Sequence, residues 1–576
     1  MANQNEGGNI FEACSNGDVE SVRKILDNAE NVGTIVKLRN ENFESPVYLA
    51  ARKGHLDVVR LLVDRAANVG AELIKVAFLA AANEGNQELV EFCLQRGVDV
   101  NTFEEDCSTA LHKAASNGQT EMVKFLLENG ADLNCKKNCG ETPLHEAALF
   151  GQTETVQFLI EKGAKVDCRD NFDAIPLHRA ASTGRTEIVQ LLIEKESKVN
   201  CRDGDGETPI HHASTSGKIE TVKFLFEKGA EVNVRDKNGA NPLHKACCSS
   251  GNTETVRFLI EKGAEVNCRD KLNRTPILIA ASSGEIETVR HLFENGADVV
   301  CKDVDDNTPL HCAASSGNFD TVQFLIEKGA KLNCNDKSGL TPLLIATSTG
   351  VNETVRLLFE KGAQVVCKDN NGNTPLHCAA STGDTETIKF LIENGAEMFG
   401  RNSNGTTPLH QASFRGNTDA VKILIEKGAE VNGRDKFGDT PLLMAASSKV
   451  IGTVKLLIEN GAEVICKGMD GKTPLHNSAF SGSREIARFL IEKGAQVNCQ
   501  DKYGRTPLHW ASRAGETETA ELLIENGADV NCKNKNGKTP VEEANEYGRA
   551  NPFQDMFIFK LLRCLDCSST PSHERP

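Results

Sequence analysis

The sequence predicts a mostly α-helical solenoid, assembled from short helix-turn-helix units with projecting hairpin or loop fingers. Three observations carry that reading. A Thr-Pro-Leu-His signature or a close variant recurs at one fixed interval, at His112, His145, His178, His211 and His244. Nearly every copy places a proline where a helix would start, and most place glycines where two helices would stop. Aromatic residues are only 5% of the 576, while the 48 glycines are spread evenly, a composition suited to many thin layers and not to one large core.

The elements of one unit follow in order from "ETPLHEAALFGQTETVQFLIEKGAKVDCRD". Thr142 can cap a helix with its hydroxyl, and Pro143 fits the first helical position, where its missing N–H is no loss. The helix runs to about Phe150, and Gly151 supplies the left-handed residue that stops it. Thr153 can then cap a second helix that presents Val156, Leu159 and Ile160 at i, i+3, i+4 spacing, and Gly163 ends it. The remainder is too polar and turn-rich for a third helix and reads as a hairpin leading into the next unit. Helices this short are unstable alone, so each pair must bury its apolar face against its neighbours.

The register continues through Leu278, His311, Leu344, His377, His410, Leu443, His476, His509 and Glu542, with every step equal to the first except that from His244 to Leu278, which is longer by a single residue. The extra residue falls in "KACCSSG", where a first helix should end. Three weaker copies precede these, for about 17 units in all. The expected organisation is a disordered start at 1–8, divergent units over 9–107, regular units over 108–538, a capping unit over 539–563 and a flexible tail over 564–576.

Units of about 33 residues with T-P-L-H-x-A resemble ankyrin repeats, over nearly the whole chain. The resemblance implies L-shaped units of antiparallel helices and a concave binding face made by finger tips and first helices. It also implies that the recurring histidine bonds locally, between a helix start and the adjacent finger. A further implication concerns Asn134, Asn200, Asn267, Asn333, Asn498 and Asn531, which resemble the position that an asparaginyl hydroxylase modifies in such repeats.

Composition excludes several function classes. With 81 acidic against 65 basic residues the formal charge is −16, which repels phosphate backbones and anionic membranes, so nucleic acid is not an expected partner. The start "MANQNEGGNI" has no leader-like character, and no apolar run approaches the roughly 20 residues that span a bilayer. A monomeric protein of the cytoplasm or nucleus is expected, its 20 cysteines reduced. There is no P-loop, kinase signature, G-x-S-x-G elbow or H-E-x-x-H, so no enzyme is predicted and no catalytic, metal or cofactor-binding residue is assigned.

Four recurring columns invite chemistry and are better read as scaffold. One histidine per layer, with layers about 10 Å apart, cannot bring two imidazoles onto one zinc. The finger cysteines, such as Cys135, Cys268 and Cys499, give way to Val234, Gly400 and Gly433 in other units, as small fillers and not ligands would. A basic column (Arg169, Arg202, Arg235, Arg434) and an acidic one (Asp170, Asp203, Asp236, Asp435) read as a solvated charge ladder at the finger tips, with an acidic partner strip as the alternative. Cys564 and Cys567 form a lone C-x-x-C, a weak signal for acylation or metal capture.

Specificity must come from positions free to vary: the residue after the histidine, those before the first-helix glycine, and the finger tip. Toward the C-terminus this set becomes aromatic and basic, with Phe414, Arg415, Phe437, Phe480, Tyr503, Trp510 and Arg513. Trp, Tyr and Arg are enriched at interface hot spots. The expected function is a non-catalytic scaffold or adaptor that binds a protein or extended peptide. The alternative is a targeting or regulatory subunit that brings substrates to an enzyme such as a ubiquitin ligase or kinase.

Overall fold

The computed structural model describes residues 3–66 and 69–546. Among them are sixteen consecutive helix pairs, a short extra helix at Val32–Val36, and a last first-helix at Pro540–Glu546. The chain divides into two compact units, with the boundary between Asp298 and Val299. The N-terminal unit stacks pairs from Asn3–Asn16 with Val19–Asp27 to Pro276–Ser283 with Ile286–Glu294, and the C-terminal unit begins with Pro309–Ser316 and Phe319–Glu327. The first helix therefore starts inside the stretch expected to be disordered. Residues 547–563 of the expected capping unit and the 564–576 tail, with Cys564 and Cys567, lie outside the described residues.

The pair Pro375–Thr382 and Thr385–Glu393 shows how the punctuation works. Thr374 is extended, at φ −93° and ψ 166°, Pro375 opens the helix, and Gly383 closes it at φ 83° with its N–H bonded to Ala379 O. Leu376, Ala379, Ala380, Ile388 and Leu391 are fully buried, packed against Leu409, Ala412, Val421 and Leu424 of the following pair. Alanines on the first helices let consecutive first helices approach closely, while leucines on the second helices fill the wider side of each layer. Thr153 does not cap its helix, because Gln152 holds that position. Equivalent threonines instead bond the next layer, as Thr186 Oγ1 does to Thr221 Oγ1 at 2.7 Å.

The longer step is absorbed where expected. The helix Pro242–Cys247 ends early, a turn takes up the extra residue, and Gly251 restores the register at φ 82°.

The fingers are turns, which corrects the hairpin reading. No strand forms among the described residues, where a single bridge between Phe103 and Thr109 is the β-type pairing found. At the finger of Asp170, its Oδ1 accepts N–H bonds from Phe172 at 2.8 Å and Ala174 at 2.9 Å, and its own N–H bonds Ala174 O. One carboxylate oxygen thus satisfies the donors a second strand would have engaged. Fingers join through single backbone bonds, such as Lys436 N–H to Asn404 O at 2.9 Å.

Candidate partner-binding face

The recurring histidine is a structural staple. His145 Nδ1 accepts from the Thr142 N–H at 3.2 Å, and its Nε2 lies 3.1 Å from Ala174 O in the next finger. The same arrangement holds at His211, His377 and His509. These imidazoles are at most 1% exposed. Burial pushes His112, His178, His211 and His476 down to about 4, so they are neutral near pH 7. The cysteines beside them are fillers as expected: Cys499 Sγ lies 3.5 Å from Thr473 Oγ1 and 3.8 Å from His476 Nδ1, and burial raises the Cys135 and Cys268 thiols to about 11.

At Arg202 and Arg434 the basic column does not pair with the acidic one. The arginines donate to backbone carbonyls: Arg202 Nη1 bonds Gly206 O at 3.0 Å and Arg235 O of the next finger at 2.6 Å. Arg434 does the same to Gly438 O and Lys467 O. Nη1 is the nitrogen engaged by these carbonyls, and in Arg235 the second terminal nitrogen, Nη2, meets Glu265 at 3.3 Å. Several of the aspartates are buried, Asp170 and Asp501 each at 5% exposure, and at Asp170, Asp236 and Asp501 the second oxygen meets the residue after the histidine, whereas Asp270 Oδ2 meets Arg274 and Asp369 Oδ2 meets Asn373 of their own fingers. Arg179 pairs Asp170 at 2.6 Å, Lys245 pairs Asp236 at 2.9 Å, and the Trp510 indole N–H donates to Asp501 at 3.1 Å.

Asp435 is an exception, because Met444 stands at that position and Asp435 Oδ2 is buried without a hydrogen-bond partner. A buried unsatisfied carboxylate oxygen is destabilising. Met444→Lys is expected to raise stability by about 1 kcal/mol, within the range of a charge-assisted bond, as read by urea denaturation. A variant no more stable than the parent would mean that water already satisfies Asp435.

The asparagines of the finger stem staple adjacent layers. Asn267 Nδ2 donates to Gly296 O at 2.8 Å while its Oδ1 accepts from the Asp298 N–H at 3.0 Å. Asn200, Asn333 and Asn498 repeat this pattern. Asn134 accepts from the Lys165 N–H, and the Asn531 N–H donates to Asp529.

The seven aromatic and basic candidates fall into three groups. Phe437 and Tyr503 sit exposed at finger tips, where their carbonyls accept from Met469 and Lys535. Phe414 and Arg415 lie together, and Arg415 borders a second, smaller cleft of about 260 Å³ with Cys378 and Gln411. Phe480, Trp510 and Arg513 converge. The two rings meet edge to face at 5.4 Å, and together with Lys449, Ser481, Ala514 and Glu516 they line a cleft of about 450 Å³.

The Trp510 ring is held from several sides. Lys472 Nζ lies 4.4 Å from its centre, and the Arg505 and Arg513 guanidinium carbons lie at 5.4 Å. Arg505 and Arg513 converge on Glu543, at 2.7 and 3.9 Å, and Glu543 is only 1% exposed. Trp510 is thus a half-buried, oriented ring beside the half-exposed Phe480.

Lys449 was missed from sequence, although a signal existed. Its position, one repeat after Gly416, is one where other units carry glycine, and it adopts φ 65° after a first helix shortened to Pro441–Ala445. A left-handed lysine costs about 1–2 kcal/mol relative to a right-handed one. Lys449→Gly is therefore expected to stabilise the protein by about 1 kcal/mol, part of the gain being offset by the freer unfolded chain. A thermal or urea midpoint that falls would contradict this.

Comparison with known proteins places the chain. Overlapping matches to the family model "Ankyrin repeats (3 copies)" run without a gap over residues 77–554, and the "Ankyrin repeat" model matches 42–72. No curated protein matches the chain as a relative. Such repeats are in general protein–protein interaction modules, and no helix among the described residues is long and apolar enough to cross a membrane. The stapling histidines, the stacked helix pairs and these matches together show that the chain belongs to the ankyrin repeat family.

Proposed function

We propose that this protein is a non-catalytic scaffold that binds a protein or extended peptide along the face formed by first helices and fingers, with the Trp510 cleft as its principal contact. The observation that carries this is the convergence of Phe480, Trp510 and Arg513 on one cleft, bordered by a lysine in a strained conformation. Strain at a residue that lines a cleft is a feature of functional positions. Lys449 and Arg513 line the cleft with Glu516, while Lys472 nearby is paired with Asp470 and Arg505 with Glu543, so the lining carries a small excess of positive charge, which favours a partner segment with an aromatic or aliphatic side chain beside a carboxylate.

Trp510 is the only tryptophan, so its fluorescence reports on the cleft directly. Titration with an acidic, aromatic peptide library, followed by affinity capture with the full chain and its Trp510→Ala variant, tests the reading. Binding that shifts the Trp510 emission and is lost in the variant supports it. Partners retained equally by both proteins would move the binding site elsewhere.

A further inference from the structure

In the N-terminal unit, the residue after the stapling histidine is a second histidine, in "TPIHHAS". The neighbouring units place Arg179 and Lys245 there, each in an ion pair with the aspartate of its own finger. His212 makes the corresponding contact, with Nε2 2.8 Å from Asp203 Oδ2, and the same nitrogen is 3.6 Å from Glu207 Oε2. A guanidinium or ammonium group can only neutralise these carboxylates. An imidazole can also join them as a ligand.

We propose that Asp203, Glu207 and His212 form a binding site for a divalent transition-metal ion of the zinc type. Their ligand atoms lie within 4.8 Å of one another, the one such convergence of three ligand-type side chains among the described residues. Tetrahedral zinc with bonds of about 2.0–2.1 Å separates its ligands by roughly 3.4 Å, between the two distances His212 makes now. Small rotations of the side chains would open the cluster around an ion.

The outer contacts are in place as well. Asp203 Oδ1 is held by the N–H groups of Asp205 at 3.0 Å and Glu207 at 2.8 Å, which leaves Oδ2 toward the histidine. Glu207 Oε1 is held by Lys245, which leaves Oε2 on the same side. Such second contacts orient ligands before the ion arrives. All three side chains are partly buried, with exposures of 9%, 18% and 26% for Asp203, Glu207 and His212, and the remaining coordination position falls to water. Lys245 opposes the ion electrostatically. It retains Asp236 as a partner, so its hold on Glu207 can loosen without leaving it unpaired.

Cobalt(II) titration of the full chain tests the proposal, since the ligand-field spectrum separates nitrogen and oxygen ligands from thiolates. One cobalt per chain is expected, with visible ligand-field bands, no sulfur-to-metal charge-transfer band, and displacement by zinc. His212→Arg restores the chemistry of Arg179 and should keep the fold while lowering affinity at least tenfold. Asp203→Asn, which preserves the turn acceptor, should do the same, and Lys245→Gln should tighten binding several-fold. An unchanged cobalt spectrum in folded His212→Arg protein, a spectrum of thiolate type alone, or no binding at millimolar cobalt would each overturn the site.

Discussion

Acidification from pH 7 to pH 4 is expected to unfold the helix stack cooperatively over several units, before most carboxylates are protonated. The sign follows from the histidines. Their folded pKa values are lowered by burial, to about 4 at His112, His178, His211 and His476, against an ordinary value of 6.5. Between those values the unfolded chain binds the protons and the folded chain does not, so stability is retained above about 6.5 and lost as pH falls toward 4. At 1.36 kcal/mol per pKa unit, each of these four sites accounts for up to about 3 kcal/mol of lost stability at the acid end. Ten units carry the histidine, while Leu278, Leu344 and Leu443 replace it in three. In units with leucine the threonine cap persists, as Thr341 Oγ1 accepting from the Leu344 N–H shows, without a group to titrate. Hydrogen exchange at pH 5 should therefore open histidine-bearing layers in preference to the layers of Leu344 and Leu443. Stability that is flat between pH 7 and pH 5 would show that the imidazoles take up protons without loss of their staples.

The second large effect concerns binding. Trp510→Ala is expected to weaken the partner by about 2 kcal/mol or more, roughly thirtyfold, the range of a buried aromatic hot spot. Phe480→Ala should cost less, because Phe480 contacts the ring from its edge while Lys472, Arg505 and Asp501 still hold Trp510 in place. Arg513→Ala should act mainly through the dissociation rate, since its loss leaves Glu543 with Arg505 and Asn534 as remaining partners. Lys449→Gly separates folding from function, since stability should rise while affinity falls. If the Trp510→Ala and Phe480→Ala proteins bind as the parent does, the partner surface lies on another part of the stack. The cleft of Arg415 and Cys378 would then be the next place to examine.

Much of this was legible in the sequence, for a local reason. Proline opens nearly every regular first helix, and glycine at positive φ closes most of them, so boundaries such as Pro143–Phe150 could be placed to the residue. The histidine role was legible from the resemblance, and the cysteine role from substitutions such as Val234 and Gly400. The finger was misread because polar, turn-rich sequence does not reveal that one aspartate oxygen can take up both turn donors. The arginine column was misread because its acceptors are carbonyls of the next finger, a full repeat further along the chain, and carbonyls leave no trace in a residue pattern.

The candidate cleft divides in the same way. Trp510, Phe480 and Arg513 stood out as departures from the repeat, whereas Phe414, Phe437 and Tyr503 stood out equally and lie apart from that cleft. The sequence alone determined the period, the helix limits, the buried face and the set of variable positions, because all of these depend on contacts within a turn or two of chain. Only the tertiary structure decided which variable positions meet. Lys449, Lys472, Trp510 and Glu543 come from four consecutive units, and Asp203, Glu207 and His212 are drawn together by a turn the pattern did not foretell. Stacking brings residues tens of positions apart into contact, and that proximity depends on packing between layers and not on the local preferences that a sequence displays.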